Sequence, residues 1–435
     1  MELEIGITFL IMMIVLMALG VPISFALGVA GTAGLFFVAG PGPALMQVSL
    51  VAWKETTSFA FACIPLFILM GQIVYQTQIA NDLFRCANAW LGRMSGGLAI
   101  ASIGGCALFA AVTGSSVAAA ATIGSIALPE MKKYNYQDVL ATAVIAAGGT
   151  LGILIPPSVT FVFYAVLTET SIGALFMAGV IPGILVAIAY ALVIYIRCKI
   201  NPSLGPAGPK YSWEARFKSL KSIWPMIVLV FVVLGGIYAG IFTPTEAAAI
   251  GVVAACLIGL VMRRLRLKGY MDAVLETGKV SAMIFAIIIG GILFSRFLVL
   301  TGVTNILVGS VLGLDLNRNA LIIALIPIYI VLGMFLDVFG MIVLTMPIVF
   351  PVLVNIGVDP IWLGVFITMM CEVALITPPV GANVFVIHGI AKGVPLMSIF
   401  RGVIPMIAAN LAVLVLIIIF PQLCLWLPST MFGAK

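Results

Sequence analysis

Two acidic side chains lie inside long apolar stretches of this 435-residue sequence, where a charge requires a partner. Asp337 occurs in "LDVFG" and Glu372 in "CEVALITPP". An ionisable residue at membrane depth indicates a functional position, because an unpaired charge is costly to hold in lipid. For Asp337, a helix-capping role is an equally good interpretation. Glu372 has the stronger claim to a mid-membrane position.

Two double prolines interrupt apolar runs, at Pro156–Pro157 in "GGTLGILIPPS" and at Pro378–Pro379 in "CEVALITPPVG". Each pair removes two backbone donors and disfavours α geometry in the preceding residue, so carbonyls at 153–155 and 375–377 lose their helical partners. Free carbonyls inside a membrane need a cation, water or a polar neighbour. A single break would be a simple kink, whereas two breaks at equivalent places predict alkali-cation sites beside a substrate site.

The stretch "TGSSVAAAATIGS" at 113–125 is rich in small residues, which by itself is equally typical of close helix packing. At a hairpin tip, the free N–H groups of the second arm would suit an anion, and Ser115 and Ser116 would add hydroxyls. The alternative is an intramembrane enzyme that uses one of these serines as nucleophile. Against it, the single histidine, His388, is predicted near the cytoplasmic end of its helix, and no second base is in view.

A transition-metal site is not predicted. One histidine cannot build a histidine cage, and the seven cysteines are scattered through apolar segments without a CxxC pair. Small buried hydrophobic side chains are the better interpretation for all seven cysteines.

The composition predicts a polytopic helical membrane protein: 63% of the residues are hydrophobic, 8% are charged, and the mean hydropathy is +1.29. The acidic N-terminus predicts a retained first helix rather than a signal peptide, and the polar connection at 199–221 is expected to be a loop. Ten spans are predicted, at 5–20, 22–39, 58–76, 135–165, 172–198, 224–242, 246–262, 281–299, 361–390 and 396–426.

Two further apolar stretches, 98–131 and 319–354, are each interrupted in the middle and predict re-entrant hairpins or pairs of full spans. An offset of 222 residues relates the halves, since it superposes Pro22 on Pro244, Pro129 on Pro351 and both double prolines on each other. The predicted units are a first repeat at 1–200, with hairpin 98–131 and broken helix 135–165, and a second at 221–435, with hairpin 319–354 and broken helix 361–390.

Lysine and arginine placement predicts an inverted second repeat. With the N-terminus outside, 17 of the 21 basic residues fall on the inner side; Lys54, Arg318 and Lys435 fall outside, and Arg296 lies within a span without an assigned role. The first hairpin then enters from the cytoplasm and the second from outside. The net charge of +6 is explained by inner loops, with anionic lipid as an additional explanation, and calls for no nucleic acid.

Three segments, "TGSSVAAAATIGSIALPEM", "GMFLDVFGMIVLTMPIVFPVL" and "ITPPVGANVFVIHGIAKGVP", resemble the large membrane subunit of tripartite ATP-independent periplasmic (TRAP) transporters, the DctM type. The resemblance runs along essentially the whole chain. It implies an elevator-type sodium symporter for organic acids such as C4-dicarboxylates or sialic acid, in a bacterial or archaeal inner membrane. The placement of the basic residues predicts that both termini are periplasmic. It also implies a separate four-helix subunit of the DctQ type and a periplasmic binding protein of the DctP type.

The resemblance further implies two or more transported Na⁺ ions at the hairpin tips and broken helices. A stand-alone sodium/anion symporter of the related ion-transporter superfamily is the alternative, and copurification of a four-helix subunit distinguishes the two. Under the resemblance, segments 77–94 and 300–316 suit arms that brace a moving domain. The expected sodium ligands are Gly114, Ser115, Ser116, Gly149, Thr150 and Pro156 in the first half and Asp337, Gly340, Glu372, Thr377 and Gly381 in the second; the expected substrate contacts are Thr113, Ser115, Ser158, Thr377 and Asn383.

Overall fold

A computed structural model describes residues 2–208, 210–304, 306, 309 and 317–431, and the regular elements among them are helical. The first half contains α1 (Glu2–Ala18), α2 (Ile23–Ala39), α3 (Pro41–Thr57), α4 (Cys63–Gln76), α5 (Ile79–Leu91), α6 (Gly97–Thr113), α7 (Ser116–Lys133), α8 (Asp138–Leu154), α9 (Val159–Thr168) and α10 (Ile172–Ile200).

After a linking helix, α11 (Trp213–Ser222), the chain continues into the second half. A π-helical turn at Phe231–Gly235 joins the first two helices of that half. The helices are α12 (Trp224–Val230), α13 (Gly236–Tyr238), α14 (Pro244–Val261), α15 (Leu267–Leu300), α16 (Arg318–Gly333), α17 (Val338–Asn355), α18 (Pro360–Ala374), α19 (Ala382–Ile390), α20 (Leu396–Ile419) and α21 (Gln422–Ser429).

Helix boundaries in the two halves follow the 222-residue offset. Helix α7 runs from Ser116 to Lys133, and adding 222 to each number gives Val338 and Asn355, the two ends of α17. The same shift takes α6 to α16, α8 to α18, α9 to α19 and α10 to α20 within a few residues. The halves also differ: α3 and α4 correspond to the single 34-residue helix α15, and the single helix α1 corresponds to α12 and α13 with the π-helical turn between them. The inverted orientation of the second half stays a prediction.

The structure differs from several predicted segments. Helix α3 fills 41–57, where no helix was predicted, and α15 extends well beyond the predicted span 281–299. Helix α11 lies in the predicted loop 199–221, and the predicted span 396–426 ends at Ile419 before a separate α21. Among the described residues, six helices are long and apolar enough to cross a membrane, or eight if two bent pairs each count as one. The count of ten spans therefore stays a prediction.

The two interrupted stretches form helical hairpins, α6–α7 and α16–α17, as the sequence predicts. Their arms contain 16 to 18 residues. At a rise of about 1.5 Å per residue, such arms are roughly 24–27 Å long, slightly less than the ~30 Å of hydrocarbon. This length does not separate re-entrant hairpins from pairs of full spans, since α17 is itself among the helices long enough to cross. Re-entrance and the side of entry stay predictions.

The two broken helices form the centre of the fold. Helix α8 is buried from Leu140 to Leu154, and α18 is buried from Trp362 to Ala374. Each of these two helices packs on the arms of its own hairpin, and the two helices also pack on each other. The double prolines therefore lie where both halves meet.

Outside this centre, α2 crosses α15 closely. A Cβ added to Gly31 would lie 2.6 Å from the backbone nitrogen of Phe294. Helix α5, within the predicted arm 77–94, buries Ile79, Leu83 and Phe84 and exposes Arg85. Most of its predicted counterpart, 300–316, lies outside the described residues.

Candidate functional site

The tips of the two hairpins are built in the same way. Ser115 precedes α7, and its Oγ accepts a hydrogen bond from the N–H of Ala118 at 3.4 Å. Asp337 precedes α17, and its Oδ1 accepts from the N–H of Gly340 at 3.0 Å. Ser115 and Asp337 are equivalent under the offset, as are Ala118 and Gly340. In each half, an oxygen side chain at the hairpin tip therefore caps the N-terminus of the second arm. Asp337 is exposed.

The first broken helix bends by 42° between α8 and α9. The Pro156–Pro157 break would leave the carbonyl of Ile153 without its helical donor. Ser158 fills this role, since its hydroxyl donates to the Ile153 carbonyl at 2.5 Å and accepts from the N–H of Phe161 at 3.3 Å. Ser158 is fully buried, and its hydroxyl is engaged in holding the break together.

At the second break, the equivalent carbonyl accepts a hydrogen bond from a backbone N–H instead of a side-chain hydroxyl. The backbone N–H of Asn383 donates to the carbonyl of Leu375 at 3.1 Å, and Leu375 is the counterpart of Ile153. Thr377 donates its hydroxyl to the Val373 carbonyl at 2.6 Å, while Gly381, at a φ of +46°, begins α19 without a side-chain cap. These carbonyls, expected to be free for a cation, are thus partly satisfied within the chain.

Asn383 also joins the two halves directly. Its Nδ2 donates to the Ser116 Oγ at 2.7 Å and to the carbonyl of Ala146, on α8, at 3.0 Å. Asn383 is 0% exposed and Ser116 is 4% exposed. The Asn383 Oδ1 is buried and has no hydrogen-bond partner among the described residues. An uncompensated buried oxygen is an acceptor for a cation or a donor-bearing ligand.

The first hairpin tip packs tightly on the first break. A Cβ added to Gly114, whose φ is +59°, would lie 2.7 Å from the carbonyl oxygen of Pro157. A Cβ on Gly152 would lie 2.6 Å from the carbonyl oxygen of Ser115, and one on Gly149 would lie 2.6 Å from the Cβ of Ala120. The tip backbone can therefore approach α8 only because α8 carries glycine there.

A polar cluster surrounds Glu372. Its Oε2 accepts from the Nδ2 of Asn410, on α20, at 2.7 Å, and the same amide lies 3.2 Å from the hydroxyl of Tyr190, on α10. Thr150 lies against both Glu372 and Tyr190. All four side chains are 0% exposed, and the Oε1 of Glu372 has no partner among the described residues. Thr150 is the counterpart of Glu372 under the offset, and contact between counterparts is expected where a pseudo-two-fold axis passes.

One family of known proteins matches nearly the whole chain. The family model described as "Tripartite ATP-independent periplasmic transporter, DctM component" matches residues 10–423. The chain belongs to this family. A C4-dicarboxylate TRAP transporter large permease protein DctM from Pseudomonas aeruginosa is 36% identical, over 88% of this chain and 89% of that protein.

Two further similarities concern a fused permease and the fold. An isethionate TRAP transporter permease protein DctMQ from Oleidesulfovibrio alaskensis is 34% identical, over 94% of this chain and 64% of that protein. The fold is similar to that in the crystal structure of the Alcanivorax borkumensis YdaH transporter, with a TM-score of 0.61 and 13% identity. The match covers 89% of this chain and 90% of the YdaH chain. At that identity the likeness concerns the fold alone. The family match makes the chain a TRAP transporter large permease, and this match together with the apolar helices implies a protein of the inner membrane.

The expected site residues of the permease fall into three sets: those that meet across the halves, those at the first hairpin tip, and those held within their own segments. Ser116 with Asn383, and Thr150 with Glu372, meet across the halves. Gly114, Ser115 and Gly149 lie at the first tip or against it. The remaining members are held within their own segments: Thr113 donates to the Phe109 carbonyl, Pro156 lies in the first break, Gly340 bonds to Asp337, and Ser158, Thr377 and Gly381 hold the breaks.

Two residues of the polar cluster were not predicted from sequence. Asn410 is a lone amide in the apolar run of α20, and Tyr190 lies in the apolar run of α10. An amide in such a run is itself a signal, because it must find a polar partner in the membrane. The partner of Asn410 is Glu372, which lies 38 positions earlier, and no local pattern links the two.

His388 and Arg296 lie apart from this site. The Nδ1 of His388 is 3.0 Å from the carbonyl oxygen of Val394, close to the end of its own helix. Arg296, on α15, donates to Gln47 on α3 and lines a cavity of about 410 Å³ between α9, α15 and α17. The side chains of Ser115 and His388 thus have separate local partners, which gives the serine-enzyme hypothesis no support.

Proposed function

We propose that this permease takes up an organic acid together with two or more sodium ions. A periplasmic binding protein delivers the organic acid to it. The observation that carries the proposal is the junction of Ser116 and Asn383, where a hairpin tip of one half meets the broken helix of the other. The buried Asn383 Oδ1 next to this junction has no partner among the described residues. Neutral oxygen ligands beside unwound helix segments are the arrangement in which secondary transporters hold alkali cations.

The substrate site is proposed between the two tips. The helices α7 and α17 both begin at a tip, and the first-turn N–H groups of a helix favour an anionic group. A C4-dicarboxylate, sialic acid or another carboxylate fits this chemistry. Thr113, Ser115, Ser158, Thr377 and Asn383 remain the proposed contacts, with Ser158 limited to its backbone because its hydroxyl is engaged.

Sodium supplies enough free energy for accumulation. With a membrane potential of about 100 mV and a tenfold gradient, each ion contributes about 2.3 plus 1.4 kcal/mol, so two ions contribute roughly 7 kcal/mol. A dianion carried with two sodium ions moves no net charge and retains only about 2.8 kcal/mol. A dicarboxylate therefore favours a third ion.

Uptake into proteoliposomes tests this function. The permease would be reconstituted with its small DctQ-type subunit, and labelled organic acids would be offered with the DctP-type binding protein. Uptake is expected only with a sodium gradient and the binding protein present, and a potassium gradient of the same size should not replace sodium. Uptake that is indifferent to sodium would refute the coupling, and uptake without the other two components would favour a stand-alone symporter.

We further propose an elevator motion in which both hairpins and both broken helices move against a scaffold that includes α15. Ser295 and Met346 line the same cavity from α15 and α17, so a short cross-link between cysteines at these positions should stop uptake. Phe163 and Phe339, whose ring centroids are 5.1 Å apart, both belong to the proposed moving unit. A cross-link between cysteines at 163 and 339 is the matched control and should leave uptake intact. Equal inhibition by both cross-links would contradict the motion.

A further inference from the structure

A basic recess lies at the ends of three candidate membrane spans, away from the hairpin tips. It has a volume of about 720 Å³ and is formed by the end of α4, the start of α5, the turn after α14 and the start of α15. Its charged lining consists of five cations and two carboxylates, which leaves three positive charges in excess. The cations are Arg85, Arg263, Arg264, Arg266 and Lys268, and the carboxylates are Asp82 and Asp272.

Most of this positive charge is available to a ligand. Arg264 forms an ion pair with Asp82, which ties the turn after α14 to the arm helix α5. Arg85, Arg263 and Arg266 are exposed and form no ion pair within 4 Å in the described part of the chain. Several unpaired cations around one recess attract an anion more strongly than scattered surface charges do.

Two helix N-termini open at the same place. Helix α5 begins after Gln78 and α15 begins after Arg266, and neither of these residues caps its helix with a side-chain hydrogen bond. The first hydrogen bond of α15 runs from the N–H of Tyr270 to the carbonyl of Arg266, so the N–H groups of Leu267, Lys268 and Gly269 precede it. Free N–H groups and the positive ends of two helix dipoles favour a phosphate or a similar anion.

The flank of the recess is apolar and exposed. Side chains at the end of α14 and the start of α15 leave more than half of their surface uncovered: Leu257 56%, Leu260 62%, Val261 71%, Leu267 83% and Met271 54%. A phosphate group in the recess would therefore have its attached acyl chains beside an apolar wall. Helix α14 is a candidate span and the recess begins at its end, so a membrane spanned by α14 would bring its headgroups to the recess.

We propose that this recess binds a phosphate group, and that its source is the headgroup of an anionic lipid. Arg85, Arg263 and Arg266 bind the phosphate oxygens, and the first-turn N–H groups of α15 add donors. A lipid held there would join α5 to the α14–α15 turn, as the Arg264–Asp82 pair already does. This site is independent of the proposed transport function.

The test measures lipid retention by the purified permease. Native mass spectrometry would compare phosphatidylglycerol with phosphatidylcholine of the same acyl chains, for the wild type and for R85Q/R263Q/R266Q. Each cation near a membrane surface contributes about fivefold in affinity, so the triple variant is expected to bind phosphatidylglycerol about a hundredfold more weakly. R85K/R263K/R266K should retain most of the binding, because it keeps the charge.

The matched control removes three exposed cations that do not line the recess, in K132Q/K133Q/K392Q, and should bind phosphatidylglycerol like the wild type. Size-exclusion profiles and melting temperatures establish that each variant is folded. A second arm adds inorganic phosphate: displacement of the lipid at millimolar phosphate supports a phosphate site that a soluble anion also reaches, and no displacement supports the lipid alone. Equal phosphatidylglycerol binding by the wild type and R85Q/R263Q/R266Q overturns the proposal.

Discussion

The hydrogen bond between Asn383 and Ser116 yields the sharpest prediction, because it joins the two halves at the candidate site. The Asn383 Nδ2 lies 2.7 Å from the Ser116 Oγ, and both side chains are buried. Replacing each residue by alanine, singly and together, isolates their interaction from the other effects of each substitution. The measured quantity is the free energy of unfolding of the permease in mixed micelles of SDS and a mild detergent.

The structure sets the expected magnitudes. Asn383→Ala removes the bonds to Ser116 and to the Ala146 carbonyl and leaves buried acceptors behind, so it should destabilise by about 2–3 kcal/mol. Ser116→Ala leaves Asn383 its bond to Ala146 and should cost about 1 kcal/mol. The coupling between the two substitutions should be about 0.6 to 1.7 kcal/mol, the range for hydrogen bonds between membrane helices.

A second cycle serves as the control. Ser125 lies on the same helix as Ser116 but is exposed and donates to the Thr122 carbonyl. Its distance from Ser116 along α7 is about 13 Å, so Ser125→Ala and Asn383→Ala should add within about 0.5 kcal/mol. A Ser116–Asn383 coupling below about 0.3 kcal/mol would refute the reasoning, because the bond would then contribute nothing to the junction of the halves.

Three further predictions concern single positions. Gly152→Ala places a Cβ 2.6 Å from the Ser115 carbonyl oxygen, and it should destabilise by about 1–3 kcal/mol in SDS unfolding and raise the sodium concentration for half-maximal uptake. Glu372→Gln keeps an acceptor for Asn410 and should unfold close to the wild type. Glu372→Leu leaves that buried amide only its longer bond to Tyr190 and should cost about 1–3 kcal/mol by the same measurement. Asp337→Asn keeps the helix cap but not the charge, so stability should be unchanged while half-saturation by sodium rises about tenfold or more if Asp337 is a ligand.

Each of these predictions has its own contrary result. Gly278 has no atom within 4 Å of an added Cβ, so Gly278→Ala should be neutral or slightly stabilising, and equal damage by both glycine substitutions would contradict the steric argument. Equal melting of the two Glu372 variants would show that the Asn410 bond is not formed. Unchanged sodium dependence in Asp337→Asn would restrict Asp337 to capping.

Local patterns predicted the breaks and the hairpins well. The double prolines end α8 and α18 because proline lacks a donor wherever it occurs, and "TGSS" and "LDVFG" become tips because Ser115 and Asp337 cap the second arm of each hairpin. Helix α3 was missed because Lys54 and Glu55 reduce the hydropathy of its run, although Glu55 is buried. The hydropathy of this run does not identify α3 as a helix, and its packing against α2 and α15 is visible only in the structure.

The candidate site was predicted as a region and not as a set of contacts. The sequence placed oxygen side chains near two breaks. It did not show that the Ser158 hydroxyl would donate a hydrogen bond to the Ile153 carbonyl, or that the N–H of Asn383 would donate one to the Leu375 carbonyl. Both are choices among nearby donors that depend on how the chain turns after each proline. The buried oxygens that stay unpaired among the described residues of the site, at Asn383, Glu372 and Asn410, could be identified only after these bonds were known.

By itself, the sequence determined the class of protein, the internal offset and the positions where helices must break, because hydropathy, proline chemistry and repeat spacing act along the chain. Only the tertiary structure decided which distant side chains meet: Ser116 with Asn383, and Glu372 with Asn410. These partners are 267 and 38 positions apart, and their contact depends on the packing of helices whose local patterns are independent of each other. Buried polar atoms must be satisfied, but the identity of the partner is a property of the fold.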